Sequence, residues 1–264
     1  MLQAIESLGL RAVEIPTFPQ DGMCLDELED AIRKHRVKAC VVMPNCHNPM
    51  GYVVSDEKKK AFVELTSRHE IPVIEDDVYG DLAFEGRRST LKAFDRKELV
   101  LLCSSFSKML GPGFRIGWVH PGRFRAEVER LKFITTISTP TLSQLVIAAF
   151  LESGGYERYL RTLRIAFSQQ VQAVSKAIAK YFPEGTRITR PRGGYLLWVE
   201  LPQNVDAFRL YRDALKEKIS ILPGTLFSPT GRFKNHIRIS CGYPWSDPLD
   251  RALLTLGRLC HQAR

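Results

Sequence analysis

Short apolar runs alternate with segments of helical period through the first half of this chain, and that alternation leaves few folds open. Val37–Met43, Ile71–Ile74, Leu99–Cys103 and Ile116–Val119 are runs of buried-strand type. Ala12–Pro16 reads as a further strand, ended by its proline. Leu25, Leu28 and Ile32 recur at helical spacing and predict an amphipathic helix over residues 25–35. Ser55 can cap the next helix, with Asp56 and Glu57 at its positive dipole end, and that helix runs to about His69. Strand and helix in turn at these intervals predict an α/β fold with a mainly parallel sheet and right-handed crossovers.

Beyond Pro121 the pattern changes. Residues 123–182 carry helical signals, broken near Ser138–Pro140 and Ser153–Gly155, and the stretch 157–182 is long enough to bridge two lobes. From Gly185 a smaller α+β unit follows. It has a strand over Gly194–Leu201, a helix marked by Ala207, Leu210, Tyr211, Ala214 and Leu215, short strands at Ile219–Leu222 and His236–Ser240, and a closing helix over 248–261. The chain therefore divides into a large domain (1–156), a connecting helix (157–182) and a small C-terminal domain (183–264).

Composition narrows the class. With 44% hydrophobic and 25% charged residues the chain is of ordinary globular make-up. No stretch reaches the roughly 20 apolar residues that span a bilayer. Met1–Ser7 lacks the basic and apolar regions of a signal peptide, so a cytoplasmic location is expected. The six cysteines show no metal-binding spacing and are expected to be reduced thiols. The net charge of +9 could attract nucleic acid or small anions. Its basic residues are dispersed, however, and the densest run, Lys58–Lys60, sits on a helix rich in counter-charges. No DNA binding by this chain itself is expected.

In an open α/β sheet, ligands bind beyond the carboxyl ends of the strands, and three of these strands end in polar clusters. After Val41–Met43, Pro44–Gly51 fixes a sharp turn in which Asn48 either offers its amide to a ligand or makes a structural turn. After Val73–Ile74, Asp76 either pairs with a protonated ring nitrogen or caps a helix, and Tyr79 lies three residues on. After Leu99–Cys103, Ser105, Ser107 and Lys108 precede a Gly-Pro-Gly turn and Arg115. A lysine there could be a Schiff-base amine beside a phosphate-binding set of serines and arginine, or an ordinary loop lysine.

Taken together and in this order, Asn-Pro-x-Gly (48–51), Asp-x-x-Tyr (76–79) and Ser-x-Ser-Lys-x-x-x-Pro-Gly-x-Arg-x-Gly-Trp (105–118) closely resemble the fold-type I, class I/II aminotransferases that use pyridoxal 5′-phosphate (PLP). The resemblance covers nearly the whole chain. It implies that Lys108 holds PLP as a Schiff base and then acts as general base and acid at the substrate Cα. It further implies that Asp76 pairs with the ring nitrogen, and that Asn48 and Tyr79 bond the ring 3′-oxygen. Ser105, Ser107 and Arg115 would bind the phosphate, and Arg238 would clamp the substrate carboxylate. Amino-group transfer between an α-amino acid and a 2-oxo acid, in a homodimer, is the implied activity. No metal is implied.

Met43–Tyr52, Ile74–Gly80 and Pro191–Tyr195 further resemble the aminotransferase-like domain of MocR-type regulators of the GntR superfamily. Those regulators bind DNA through an N-terminal winged-helix domain. An effector-sensing role without turnover is therefore a second reading, and a non-catalytic remnant a third. The resemblance also implies segments preceding Met1: the winged helix, a phosphate-binding helix start and an aromatic ring wall. In the family's sheet a strand from those preceding segments lies between the strands at Ala12–Ile15 and Val37–Met43. Without them, weak PLP binding and unpaired sheet edges are expected of this N-terminally truncated chain.

Overall fold

The structure, a computed structural model, describes residues 1–262. Its elements are α1 (Leu2–Ser7), β1 (Thr17–Phe18), β2 (Gly22–Met23), α2 (Leu25–Lys34), β3 (Cys40–Val42), α3 (Asp56–Arg68), β4 (Val73–Asp76), β5 (Val100–Ser105) and β6 (Gly117–His120). There follow α4 (Arg125–Thr136), α5 (Thr141–Glu152), α6 (Gly155–Tyr181), β7 (Arg187–Ile188), β8 (Leu196–Glu200), α7 (Ala207–Lys216), β9 (Leu222–Pro223), β10 (His236–Ser240) and α8 (Asp247–Gln262).

The first sheet has the order β3-β4-β5-β6. β3, β4 and β5 are parallel, with Cys40 opposite Val73 and Val73 opposite Val100. β6 instead runs antiparallel to β5, Ser105 lying opposite Gly117. The apolar run at Ile116–Val119 does not reveal its direction. The length of the link does: residues 106–116 are too few for a crossover helix, so the chain must double back. The loop that carries Lys108 is therefore the tip of a hairpin.

Two further expectations are corrected. Residues 12–15 form no strand. They are held by side chains: the Glu14 carboxylate accepts from Ser228 Oγ (2.9 Å) and Thr230 Oγ1 (2.7 Å). Pro16 offers no N–H to a ladder, and the first paired residues are Thr17 and Phe18, opposite Met23 and Gly22. The run Val37–Met43 contracts to Cys40–Val42, because β3 is the outer strand and pairs on one side only.

α3 covers one face of this sheet. Its start is as expected, with Ser55 Oγ accepting from Lys58 N at 3.3 Å, and its Phe62, Val63 and Leu65 pack with Val73 and Val100. The second sheet, β7-β8-β10-β9, is antiparallel. Leu197 and Val199 of β8 and Ile237 of β10 bury one face against Leu210 of α7 and Leu256 of α8. α6 belongs to both cores. Its first turns put Tyr156 and Leu160 beside Tyr79 and Met109, while Val174 and Ile178 near its end join the second sheet's core. At 27 residues it is about 40 Å long. No helix among the described residues is long and apolar enough to cross a membrane.

Leu197 has no exposed surface. Leu197→Ala is expected to destabilise the fold by about 2–5 kcal/mol, read as a lower urea midpoint with an unchanged slope.

Candidate active site

The polar clusters lie where the parallel strands end. After β3, the loop 44–51 turns tightly enough to require Gly51, which has φ +75° and whose Cβ would lie 2.4 Å from Pro191 Cβ. His47 stacks on Tyr52 with ring centroids 4.4 Å apart. Its Nδ1 accepts from Met50 N at 3.4 Å, and burial pushes its pKa down to about 4. It is a neutral buttress of the loop. Asn48, on that loop, accepts at Oδ1 from Arg238 Nη1 of β10 (2.9 Å). Residues far apart in sequence thus meet, and the contact orients the amide: with Oδ1 engaged, Nδ2 is the group left to donate.

β4 ends at Asp76. Its Oδ1 accepts from Val78 N at 3.2 Å, a local turn and not the helix cap weighed from sequence. Burial raises the Asp76 carboxyl, opposed by the bond from Val78 N and then by the Lys108 charge. Tyr79 is buried, its ring edge-on to Tyr195 at 5.6 Å. Lys108 Nζ sits 5.8 Å from the Tyr79 ring centroid. Burial, reinforced by Tyr195, holds the Tyr79 hydroxyl protonated well above its ordinary range. Burial also lowers the Arg238 guanidinium, opposed by Tyr79 and Tyr195. Arg238 packs over Phe227 at 5.4 Å from its centroid.

The Lys108 hairpin is closed by Phe106 N to Ile116 O (3.1 Å) and tied to α6 by Tyr159, whose hydroxyl donates to Met109 O (2.7 Å). Ser104 Oγ donates to Asp77 O (3.1 Å), linking the ends of β5 and β4. Ser105, Ser107 and Arg115 share this hairpin, and Arg115 has φ +52°. Among the described residues, no protein acceptor takes up either hydroxyl, the guanidinium or the Lys108 amine.

Tyr195, which closes the Pro191–Tyr195 motif but received no site role from sequence, stands between Tyr79 and the ring of Phe167. A signal for it was present in the preceding Gly193-Gly194. A Cβ on Gly193 would lie 2.3 Å from Cys46 Sγ, so only glycine lets the segment leading into β8 approach the loop after β3.

Glu75 and Asp77, on either side of Asp76, are buried. Burial pushes Glu75 up to about 7, against the backbone N–H groups of Leu91 and Lys92 and the charge of Lys59, while Asp77 adds to the rise. Burial likewise lifts Asp77 to about 6, against its bond from Asn45. Both values exceed the ordinary 4.5 and 3.8. Folding therefore favours the neutral acids, and the stability they contribute is full below about pH 4 and lost as pH rises through 6 to 7. Glu75→Gln is expected to shrink the difference in melting temperature between pH 5 and pH 8, measured against the unaltered chain.

An α/β sheet with an amine and a carboxylate beyond the ends of its parallel strands, beside a smaller antiparallel sheet, is the fold-type I PLP-transferase architecture. The sequence model for aminotransferase class I and II matches residues 1–252, and the chain belongs to that family. Among its relatives is YjiR of Escherichia coli (strain K12), an uncharacterized HTH-type transcriptional regulator. The two are 38% identical over 264 residues, 99% of this chain and 56% of YjiR. The kynurenine aminotransferase of Pyrococcus horikoshii, solved with PMP and KYN, superposes with a TM-score of 0.88 at 30% identity, over 99% of this chain and 66% of that one. LysN of Thermus thermophilus, an alpha-aminoadipate aminotransferase complexed with N-(5′-phosphopyridoxyl)-L-leucine, does so at 0.91 and 28%, over 99% and 68%. The chain thus spans little more than half the length of its regulator relative.

Proposed function

We propose that this aminotransferase domain binds PLP through Lys108 and exchanges an amino group between an α-amino acid and a 2-oxo acid. The observation that carries the reading is the convergence of Lys108 with Tyr79 and Asp76, at the same strand ends where Asn48 meets Arg238. The donor set suits the cofactor. Two hydroxyls and a guanidinium without protein acceptors fit a phosphate, Nδ2 of Asn48 and the Tyr79 hydroxyl fit a ring oxygen, and the half-buried Asp76 carboxylate fits a protonated ring nitrogen.

When bound, PLP supplies an electron sink and an aldehyde that condenses with amines. Lys108 would provide the amine that holds it and would carry the proton at the substrate Cα as base and then acid. Asp76 would hold a protonated ring nitrogen by its negative charge. Arg238 receives the substrate carboxylate with its guanidinium fork, while its bond to Asn48 ties substrate position to the ring edge. Arg238→Leu is expected to raise the amino-acid KM about 10–150-fold, the loss of charged hydrogen bonds worth about 1.5–3 kcal/mol, with a smaller effect on kcat in steady-state assays.

The division into a large unit (1–156), connecting helix (157–182) and small unit (183–264) is part of this proposal, supported by the two separate sheets. So is a homodimer, supported by the exposed apolar side chains of Phe133, Ile134, Leu142 and Leu145 on α4 and α5. The identity to YjiR favours a second reading, an amino-acid-sensing unit within a longer regulator that contacts DNA through another domain. Release of a 2-oxo acid from a mixed amino-acid panel supports the enzyme. Cofactor binding with no product supports the sensor.

A further inference from the structure

β4 carries three consecutive acids, and the strand sends them to opposite faces. Glu75 and Asp77 are buried on the side covered by α3, and Asp76 faces the other way. Both flanking carboxylates are anchored. Glu75 accepts from Leu91 N (2.7 Å) and Lys92 N (3.0 Å). Asp77 accepts from Asn45 Nδ2 (3.0 Å). Asn45 in turn accepts at Oδ1 from Lys59 Nζ (2.8 Å), and the same ammonium donates to Ser89 O (2.7 Å). Asp56, 3.6 Å from Lys59 Nζ, completes its surroundings.

Lys59 and Asn45 have no exposed surface. An ammonium buried on the sheet-facing side of a helix is expensive, and an apolar side chain of similar length would fill the space at less cost. Gly80 serves the same arrangement: a Cβ there would lie 2.3 Å from Asp77 Oδ1. This polar chain therefore calls for a role beyond filling the core, and the residue that it brackets is Asp76.

We propose that Lys59, Asn45, Asp77 and Glu75 form a clamp, built on the far face of the sheet, that fixes the position of the Asp76 carboxylate. All four are positioning residues. Pinned at 75 and at 77, the strand end can neither slip nor rotate, so Asp76 is held where its partner must be met. The link to PLP rests on the function proposed above. The clamp itself is a property of the chain without cofactor. Small displacements at such a site carry large consequences for binding and rate.

Lys59→Met tests this in two ways. In the cofactor-free protein, amide exchange at residues 76–79 should accelerate about tenfold, as expected for a locally loosened segment, while Ile237 and Ile239 of β10 stay unchanged. Unchanged exchange at 76–79, or equal acceleration everywhere, overturns the clamp. In a double-mutant cycle, Lys59→Met should weaken PLP binding about tenfold in the natural chain and less than about twofold in the Asp76→Ala background. Equal losses in both backgrounds overturn the proposal, because the network would then stabilise the fold without acting through Asp76. If the unaltered chain binds no PLP, the functional reading fails and the exchange measurement alone decides the clamp. Asp77→Ala removes the acceptor of Asn45 Nδ2 and so unpins the strand at 77. It carries the same measurements, with the same outcomes supporting or overturning the clamp, should Lys59→Met not fold.

Discussion

Lys108→Ala is expected to abolish covalent retention of PLP and to lower amino-group transfer by about 10²–10⁴-fold, the usual reach of a positioned acid–base group. The effect should be chemical. The hairpin is closed by backbone bonds such as Phe106 N to Ile116 O and by Tyr159 bonded to Met109 O, neither of which uses the lysine side chain. With no acceptor for the amine among the described residues, its removal breaks no hydrogen bond and costs only the weak attraction to Asp76 and the Tyr79 ring. Thermal stability should therefore change by no more than about 0.5 kcal/mol, as for substitutions away from packing features. Three readouts check this: absorbance of the desalted protein after incubation with PLP, the rate of 2-oxo acid formation, and the melting temperature.

Asp76→Ala should be nearly as damaging for a different reason. Asp76 is the carboxylate that β4 turns toward Lys108, and burial already works against its charge. Loss of its charged bond to a ring nitrogen should weaken PLP binding about 10–150-fold, or about 1.5–3 kcal/mol. Alanine also leaves Val78 N without its acceptor, so some stability is lost with it. Asp76→Asn separates the two effects. The amide can still accept from Val78 N but carries no charge, so it should match alanine in turnover and the natural chain in melting temperature.

Much of the fold was legible because its signals are local. The period of Leu25, Leu28 and Ile32 located α2, and Ser55 located the start of α3. What escaped depends on partners. Ala12–Ile15 reads as a strand by itself but is held by Glu14 bonding to Ser228 and Thr230, more than 200 positions away in the sequence. The direction of β6 is set by the length of a link and not by its apolar residues. The polar clusters at the strand ends were visible, yet nothing in local spacing could bring Asn48 to Arg238. Lys59 is the sharpest case. Within Lys58–Lys60 it looks like part of a solvated helix face. It is buried, because it shares with Phe62 and Val63 the i, i+3, i+4 face that packs on the sheet. Counting that face would have exposed it, whereas reading the charge run conceals it. Tyr195 escaped for the opposite reason, since its apolar strand reads as core throughout.

The central claim is that Lys108 is the amine that takes PLP. The most direct measurement is an absorbance titration of the purified chain with PLP, followed by borohydride reduction and peptide mapping. The account predicts a visible band that saturates and a single reduced adduct, on Lys108. A folded, soluble chain that yields no adduct, or one modified at other lysines with Lys108 untouched, would contradict it.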